Sequence, residues 1–350
     1  MRYNQYGRTG LFVSELCLGT MTFGGKGFFE YMGQVGQDEA DGLLKAAVDA
    51  GVNFVDTANV YSEGLSEQIT GQAIRNLGIR REDIVISTKV LGPMGTGVNS
   101  RGASRVHILD QVKASLKRLQ TDYIDIYHIH GFDPVTPIEE TLRALDNAVS
   151  HGHVRYVAMS NWAAWQVAKG LGISERLNLA RIEGMQSYYS LAGRDLEREI
   201  VPMIESEKLG LMVWSPLAGG YLSGKYRTEA NGGENAKGRR DERSFPPVDE
   251  TRGNAVLDAL AEVAKAHDAT SAAVALAWLL HKPAVTSVIV GAKRREQLDD
   301  NLRATGIALT TDDLAKLDAA SALTPEYPGW MLALQGSYRD NVRVQPPRGA

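Results

Sequence analysis

Four side chains that can bind or release protons follow short apolar runs of the sequence. Asp56 and Tyr61 come after the second of these runs, Lys89 after the third and His130 after the fourth. A phenol in isolation titrates at a pKa near ~10. A neighbouring ammonium group lowers that pKa, and a carboxylate keeps the ammonium charged and oriented. With a histidine to hydrogen-bond a carbonyl group, these residues can protonate an oxygen on which negative charge develops.

These residues can meet only if the fold brings the ends of several strands together. Apolar or β-branched runs, which predict strands, alternate with longer segments at helical spacing, which predict helices. The predicted strands lie near Leu16–Leu18, Val52–Val55, Ile84–Ser87, Tyr123–Ile129, Val154–Met159, Arg181–Met185, Gly210–Trp214 and Thr286–Val290. The predicted helices include Asp38–Ala50, Ser66–Arg75, Ser104–Leu119, Pro137–Ser150, Arg194–Glu207 and Asn254–His267.

A strand followed by a helix, repeated about eight times, is typical of a parallel sheet with crossover helices. The number of repeats favours a closed (β/α)8 TIM barrel over an open doubly wound sheet. A G-x-G-x-x-G motif after the first predicted strand would favour the open sheet, but none is present, and no P-loop motif occurs. Gly95 and Gly97 fit neither spacing. In a parallel barrel the active site lies at the carboxyl ends of the strands, where the four residues above are expected.

Some helix starts and two irregular segments complete this prediction. Asp38 and Ser104 are expected to cap helices, and Thr136-Pro137-x-Glu139 combines a cap, a first-turn proline and an acid. Residues 226–251 are charged and rich in Gly, Pro and Asn, so they predict a long loop after the seventh strand. We expect a single barrel domain over residues 1–350, with an N-terminal β-hairpin and a tail at 324–350 that crosses the barrel.

Composition excludes several classes of protein. The 350 residues carry 38 Lys and Arg against 42 Asp and Glu, a net charge of -4, which argues against a nucleic-acid partner. The only cysteine is Cys17, so an internal disulfide is impossible and a reducing compartment is expected. The start lacks the apolar segment of a signal peptide, and the apolar run Ala272–Leu280 is too short to span a membrane. We expect a cytoplasmic protein without a membrane partner; the sequence does not indicate its oligomeric state.

A series of motifs resembles the aldo-keto reductase superfamily. In chain order they are D-T-A-x-x-Y-S-x-G-x-S-E, S-T-K, H-G-F-D-P-x-T-P-x-E-E-T, M-S-N-W, Q-x-x-Y, W-S-P-L-A-G-G-Y-L-S-G-K-Y and G-A-K-R-R-E-Q-L-D-D-N. The resemblance extends from the N-terminal hairpin to about Ala320. It implies reduction of a carbonyl compound with a nicotinamide cofactor. Tyr61 would then be the general acid, Lys89 and Asp56 would adjust its acidity, and His130 would orient the carbonyl.

The resemblance also implies which residues bind the cofactor. The full set is Thr20, Met21, Asp56, Ser160, Asn161, Gln186, Trp214, Ser215, Pro216, Leu217, Gly219, Lys225, Gly291, Lys293, Gln297 and Asn301. Ser160, Asn161 and Gln186 would hydrogen-bond the nicotinamide carboxamide, and Trp214 would stack on its ring. The helix start with Lys293 and its neighbouring arginines suits a 2′-phosphate, so NADPH is expected, with NADH possible. One departure is Ala292-Lys293, where the family commonly has serine or arginine, so lysine would meet the phosphate as a point charge.

The substrate is the least constrained feature. By analogy, loop and tail residues are expected to line a wide, apolar pocket: Phe28, Phe29, Tyr31, Met94, Trp162 and Trp330. Such a pocket suits a small-molecule carbonyl compound with a bulky alicyclic, aromatic or sugar-like body. The charged run at 238–243 is interpreted as solvated, with closure of one arginine over the cofactor as an alternative.

Two other functions stay open at this point. His128 and His130 lie two residues apart, a spacing that could bind a metal in a barrel hydrolase. The further His and Asp ligands of that class are missing from the later strands, so no metal is expected. The other alternative is an NADPH-binding regulatory subunit of weak activity, as the potassium-channel β subunits of this superfamily partly are. The presence of His130 favours catalysis over that alternative.

Overall fold

The computed structural model describes residues 1–226 and 239–339. Within those ranges two antiparallel strands, β1 Tyr3–Gln5 and β2 Phe12–Ser14, precede eight parallel strands that close into a barrel. The eight strands are, in chain order, β3 Leu16–Gly19, β4 Phe54–Asp56, β5 Val85–Val90, β6 Ile124–Ile129, β7 Val154–Ser160, β8 Ile182–Tyr188, β9 Gly210–Trp214 and β10 Ser287–Val290. Their order around the barrel is β10-β3-β4-β5-β6-β7-β8-β9. The prediction of a (β/α)8 barrel is confirmed.

Helices surround the barrel. They are α1 Gln37–Asp49, α2 Leu65–Asn76, α3 Arg105–Leu119, α4 Ile138–Ser150, α5 Ala164–Leu177, α6 Ile200–Glu207, α7 Arg239–Glu242, α8 Glu250–Ala266, α9 Ser271–Leu280, α10 Arg295–Arg303, α11 Thr311–Ala320 and α12 Gly329–Gly336. In the described part of the chain, no helix combines the length and the apolar character needed to cross a membrane.

The barrel strands are covered on both faces, as their nearly continuous apolar sequences require. Every residue of β5 and β6 is buried. Parallel pairing places Asp56 of β4 opposite Ser87 of β5, and Lys89 of β5 opposite His128 of β6. Neighbouring residues in register point to the same face, so this pairing directs polar side chains into the carboxyl end of the barrel.

An N-terminal hairpin closes the other end of the barrel. Its strands are β1 Tyr3–Gln5 and β2 Phe12–Ser14, which pair antiparallel. Tyr6, which directly follows β1, is fully buried and packs inside the barrel with Cys17, Phe54 and Met212. Gly184 leaves room for this ring, because a Cβ at that position would lie 2.0 Å from Tyr6 Oη.

Several predicted boundaries are wrong, for local reasons. The cap of α1 is Gly36, and Asp38 lies inside the first turn. Ser104 caps α3 as predicted, since its side chain accepts a hydrogen bond from His107 N. Thr136 does not cap α4, because its hydroxyl donates to Asp133 Oδ2 at 2.7 Å. The helix predicted from Arg194 begins at Ile200 instead, after a short 3-10 turn.

The predicted loop and tail contain regular structure. Helix α7 lies within the predicted loop at 226–251, and α8 begins at Glu250. The loop residues 227–238 lie outside the described residues. In the tail, α12 is an apolar helix with none of its residues buried, and Trp330 is 49% exposed. Loop composition detected the interruption of the barrel pattern but not these short helices.

Tyr6 provides a test of the packing inside the barrel. Tyr6 Oη is buried without a hydrogen-bond partner among the described residues. Tyr6→Phe should therefore change the free energy of unfolding by less than about 1 kcal/mol, since it removes only an unpaired hydroxyl. Tyr6→Ala should lower it by about 3–5 kcal/mol, because it leaves a cavity. Urea unfolding of the two variants measures this difference, and equal losses in both would contradict it.

Candidate active site

A buried ion pair lies at the carboxyl end of the barrel. Lys89 is fully buried, and its Nζ donates to Asp56 Oδ2 at 2.6 Å and to the Thr57 carbonyl at 2.7 Å. The other carboxylate oxygen, Asp56 Oδ1, accepts from Ser87 Oγ at 2.9 Å and from Gln186 Nε2 at 3.1 Å. Burial lowers the pKa of Lys89, but the negative charges nearby, led by Asp56, outweigh burial and raise this pKa above its usual value. The lysine is therefore an ammonium ion at neutral pH.

Tyr61 lies above this ion pair. It begins a short 3-10 turn, Tyr61–Gly64, that follows β4. Lys89 Nζ is 5.2 Å from the centroid of the Tyr61 ring. The His130 ring is 5.7 Å from the same ring, centroid to centroid, in an edge arrangement. The structure thus brings together the four residues that the sequence placed after three different strands.

The backbone of the Tyr61 turn has an uncommon conformation. Ser62 and Glu63 have φ of 49° and 58°, in the left-handed region that residues other than glycine seldom adopt. Ser62 Oγ donates to the Phe23 carbonyl at 3.0 Å and accepts from Gly25 N at 3.1 Å. These bonds fasten the turn to the loop after β3. A conformation of this kind persists only where the surroundings hold it.

His130 is neutral at physiological pH. Its side chain is half-buried, directly after β6. Removal from water, followed by the charge of the Lys89 ammonium, lowers the pKa of His130 to about 3. A neutral imidazole retains one N–H donor, so His130 can donate a hydrogen bond to an oxygen that approaches Tyr61.

Asn161 forms hydrogen bonds to two residues at the mouth of the barrel, His130 and Trp214. This residue has φ of 57° and follows the last residue of β7. Asn161 Nδ2 donates to the His130 carbonyl at 3.0 Å, and Asn161 Oδ1 accepts from Trp214 Nε1 at 2.9 Å. The Trp214 ring is also parallel to the Phe245 ring within 13°, with centroids 5.9 Å apart. The asparagine therefore connects the histidine to the indole across the barrel mouth.

A cavity of about 1230 Å³ extends from these residues to the start of α10. This volume exceeds the range of about 300–1,000 Å³ for ordinary small-ligand pockets, so it can hold a dinucleotide together with a substrate. All the residues expected at a cofactor line it: Thr20, Met21, Asp56, Ser160, Asn161, Gln186, Trp214, Ser215, Pro216, Leu217, Gly219, Lys225, Gly291, Lys293, Gln297 and Asn301. Tyr61 and His130 also line the cavity, whereas Lys89 lies behind Asp56.

The far end of the cavity is cationic. Lys293 and Arg294 line it and are exposed, and the backbone N–H groups of both donate to Gln297 Oε1, at 2.9 and 3.3 Å. Helix α10 begins at Arg295, so Lys293 precedes the capping residue Arg294 and does not open the helix. Arg295 forms an ion pair with Asp299. A helix N-terminus flanked by cations suits an anionic group.

Three of the six residues expected at the substrate line the cavity. Phe28, Phe29 and Tyr31 line the cavity, and the Phe29 ring is 5.1 Å from the Tyr61 ring. Three others do not appear in its lining: Met94, Trp162 and Trp330. Trp162 is 3% exposed and packs edge-on against Phe132. The centroid of the Trp330 ring is 6.0 Å from that of the Tyr327 ring. Trp162 is therefore a core residue and Trp330 lies on an exposed helix, which their positions in the sequence could not reveal.

Other lining residues were absent from the expected set. Tyr188 lines the cavity two positions after Gln186 on β8, so strand alternation could have identified it. Phe245 also lines it, but its segment has no periodicity that would indicate a role. In the charged run, Arg243 lines the cavity with its guanidinium 4.9 Å above the Phe28 ring. That arginine is therefore part of the cavity wall and not simply solvated.

The described residues contain no cluster of three or more His, Cys, Asp or Glu that could hold a metal ion. His128 is fully buried, and burial together with the Lys89 charge lowers its pKa well below the usual value. Nothing in the described ranges assembles ligands around His128 and His130, so the pair gives no support to a metal centre.

The neutral state of His130 predicts a pH effect on stability. The unfolded chain binds a proton at this residue near pH ~6.5, whereas the folded chain resists protonation down to about 3. Acidification from pH 7 to 5 therefore favours unfolding. In His130→Gln this contribution is absent, so stability should fall less over that interval than in the unsubstituted protein. Urea unfolding at both pH values measures it, and identical losses in the two proteins would contradict a neutral His130.

Comparison with known proteins agrees with this geometry. A profile of the Aldo/keto reductase family matches residues 15–322. A probable voltage-gated potassium channel subunit beta of Oryza sativa subsp. japonica is 38% identical over 336 residues, covering 93% of this chain and 98% of that protein. A putative aryl-alcohol dehydrogenase of Schizosaccharomyces pombe is 35% identical over 337 residues, covering 90% and 94%. Norsolorinic acid reductase of Aspergillus flavus is 33% identical over 341 residues, covering 95% and 84%.

The family profile spans most of the chain, and three relatives exceed 30% identity over nearly all of it. The closed barrel and the cavity at its carboxyl end agree with these matches. The chain therefore belongs to the Aldo/keto reductase family, and it is an NAD(P)-dependent oxidoreductase.

Proposed function

We propose that this protein reduces a ketone or aldehyde to an alcohol, with NADPH as the preferred reductant. The observation that carries the proposal is the buried Lys89–Asp56 ion pair with the Tyr61 ring above it, at the wall of a large cavity. An ammonium ion near a phenol stabilises the phenolate, so the phenol gives up its proton more readily. Proton donation by Tyr61 to a carbonyl oxygen is the chemistry that this arrangement favours.

Each neighbouring residue has a role in that proton transfer. Asp56 holds the Lys89 ammonium at 2.6 Å and keeps it charged. Neutral His130 donates a hydrogen bond to the carbonyl oxygen and holds it near the Tyr61 hydroxyl. The surrounding aromatic rings exclude water, which strengthens these electrostatic interactions. The protein thus supplies the proton and the orientation of the carbonyl group.

The cavity residues fit a nicotinamide dinucleotide. When bound, the reduced nicotinamide supplies a hydride to the carbonyl carbon. Ser160, Asn161 and Gln186 would hydrogen-bond its carboxamide, and Trp214 would face its ring. The turn Ser215–Gly219 and Lys225 would hold the pyrophosphate, and Gly291, Lys293, Gln297 and Asn301 would hold the adenosine end. The cations Lys293 and Arg294 favour NADPH over NADH, because only NADPH carries a 2′-phosphate.

The substrate we propose is a bulky carbonyl compound with an aromatic, alicyclic or sugar-like body. The wall next to Tyr61 is built from aromatic rings: Phe29 packs against Tyr61, and Phe28 packs against Phe29 and Tyr31. Rings of this kind contact flat or apolar surfaces favourably. The relative named as a putative aryl-alcohol dehydrogenase supports the aromatic choice.

A second candidate function is an NADPH-binding regulatory subunit of weak activity. The similarity to a probable potassium channel subunit beta favours this alternative. Turnover separates the two. Steady reduction of aromatic aldehydes by the purified protein supports the enzyme, whereas tight NADPH binding without reduction across a broad carbonyl panel supports the regulatory subunit.

Tyr61→Phe tests the proposed general acid. It removes the hydroxyl and retains the ring that packs against Phe29. We expect kcat for aldehyde reduction to fall by about a hundredfold to ten-thousandfold, with the NADPH dissociation constant nearly unchanged. NADPH absorbance and fluorescence titration measure the two quantities. Loss of cofactor binding together with activity would instead indicate a structural role for Tyr61.

Lys293→Met tests the choice of cofactor. Without the ammonium, KM for NADPH should rise by about tenfold, whereas KM for NADH should stay the same. Lys316→Met removes a lysine that pairs with Glu262 on the outer helices and serves as the control. If Lys293→Met changed KM for both cofactors equally, the preference for NADPH would not depend on this residue.

A further inference from the structure

A second buried ion pair lies directly behind the Tyr61 turn. Glu67 is fully buried in the first turn of α2, six residues after Tyr61. Its Oε1 accepts from Thr88 Oγ1 at 2.6 Å, and its Oε2 accepts from Arg118 Nε at 2.6 Å. The side chain of Arg118, on α3, is 15% exposed. Both oxygens of one carboxylate are therefore used to join three separate elements.

Of the three elements joined by Glu67, β5 carries Lys89, and α2 directly follows the turn that carries Tyr61. Thr88 directly precedes Lys89 on β5 and points away from the barrel interior. Helix α2 begins immediately after the Tyr61–Gly64 turn. Arg118 also packs on this turn: a Cβ at Gly64 would lie 2.7 Å from Arg118 Cδ. A movement of Glu67 would consequently change the separation of Tyr61 from Lys89.

The Tyr61 turn needs support from outside itself. Its left-handed residues, Ser62 and Glu63, would relax if they were not held. The N-terminal side of the turn is fastened by the Ser62 bonds to Phe23 and Gly25. On the C-terminal side, Ser66 Oγ donates to the Thr20 carbonyl at 2.7 Å, and Glu67 adds the bonds to β5 and α3.

Stability alone is a weak reason to bury this ion pair. Replacing a buried ion pair with apolar residues of similar volume is often neutral or stabilising. Directed bonds to a carboxylate, in contrast, fix distances and angles. We propose that Glu67, through Thr88 and Arg118, is a positioning residue that sets the placement of Tyr61 relative to Lys89. This inference rests on the proposed function, in which that placement determines the rate of proton transfer.

The test replaces Thr88 and leaves the ion pair intact. Thr88→Val removes the hydroxyl that joins Glu67 to β5 and keeps the shape of the side chain, whereas Thr88→Ser retains the hydroxyl. In Thr88→Val we expect kcat to fall roughly tenfold with KM for NADPH unchanged, because small displacements of catalytic groups are costly. We also expect faster amide hydrogen exchange in residues 61–66. In Thr88→Ser, kcat and the rate of amide exchange in residues 61–66 should stay close to those of the unsubstituted protein.

Asp125→Asn is the matched control. Asp125 lies at the opposite end of β6 and forms a comparable ion pair with Arg81 at 2.5 Å, while also accepting from Ile86 N at 2.8 Å. Its loss should lower thermal stability without lowering kcat. A kcat loss in Thr88→Val no larger than that in Asp125→Asn, or unchanged exchange in residues 61–66, would overturn the positioning role.

Failure of the proposed function gives a different result. If the unsubstituted protein reduced no carbonyl compound, the proposed function would be overturned, but hydrogen exchange in Thr88→Val would still decide whether the bond to Glu67 holds the turn. Glu67→Gln provides a second variant: it keeps the shape of the side chain, but it removes the charge and replaces one of the two acceptor oxygens with an NH2 donor, so the side chain cannot accept from both Thr88 and Arg118. An unchanged kcat and unchanged exchange in folded Glu67→Gln and Thr88→Val together would contradict the inference.

Discussion

The ion pair between Lys89 and Asp56 is the interaction on which the rest of the site depends. Transfer of an ammonium and a carboxylate into a protein interior is unfavourable unless each charge is compensated by geometry and hydrogen bonds. Here Lys89 donates to Asp56 and to the Thr57 carbonyl, and Asp56 accepts two more bonds, from Ser87 and Gln186. Thr57 directly follows β4, and the other residues lie on three strands of the barrel, β4, β5 and β8. The closed barrel therefore brings together the partners that compensate this buried charge.

The buried charge affects the residues around it. Burial, followed by the charge of the Lys89 ammonium, lowers the pKa of His130 and keeps this histidine a neutral donor. The same ammonium lies 5.2 Å from the Tyr61 ring. The position of Tyr61 is fixed by the backbone of its 3-10 turn and by the hydrogen bonds of Ser62, Ser66 and Glu67. The chemistry proposed for the site is thus a consequence of one charge and of the backbone that surrounds it.

The sequence predicts the fold and the central residues because both follow from simple spacing rules. Parallel strands end at one face of a barrel, so residues that follow successive strands must converge, as Asp56, Tyr61 and His130 do. The loops follow no such rule. Trp162 is packed against Phe132 and Trp330 is on an exposed helix, whereas Phe245 and Arg243 reach the cavity from a segment without periodicity. Loop side chains are placed by tertiary contacts, which spacing along the chain does not encode.

The most direct test of the central claim is the rate of hydride transfer in Lys89→Met. A single turnover of NADPH with an aromatic aldehyde, followed by stopped-flow absorbance, measures this step apart from product release. The account predicts a rate lower by about a hundredfold or more in folded Lys89→Met that still binds NADPH. Hydride transfer at the unsubstituted rate in that variant would contradict the account, because the ammonium would then have no part in the acidity of Tyr61.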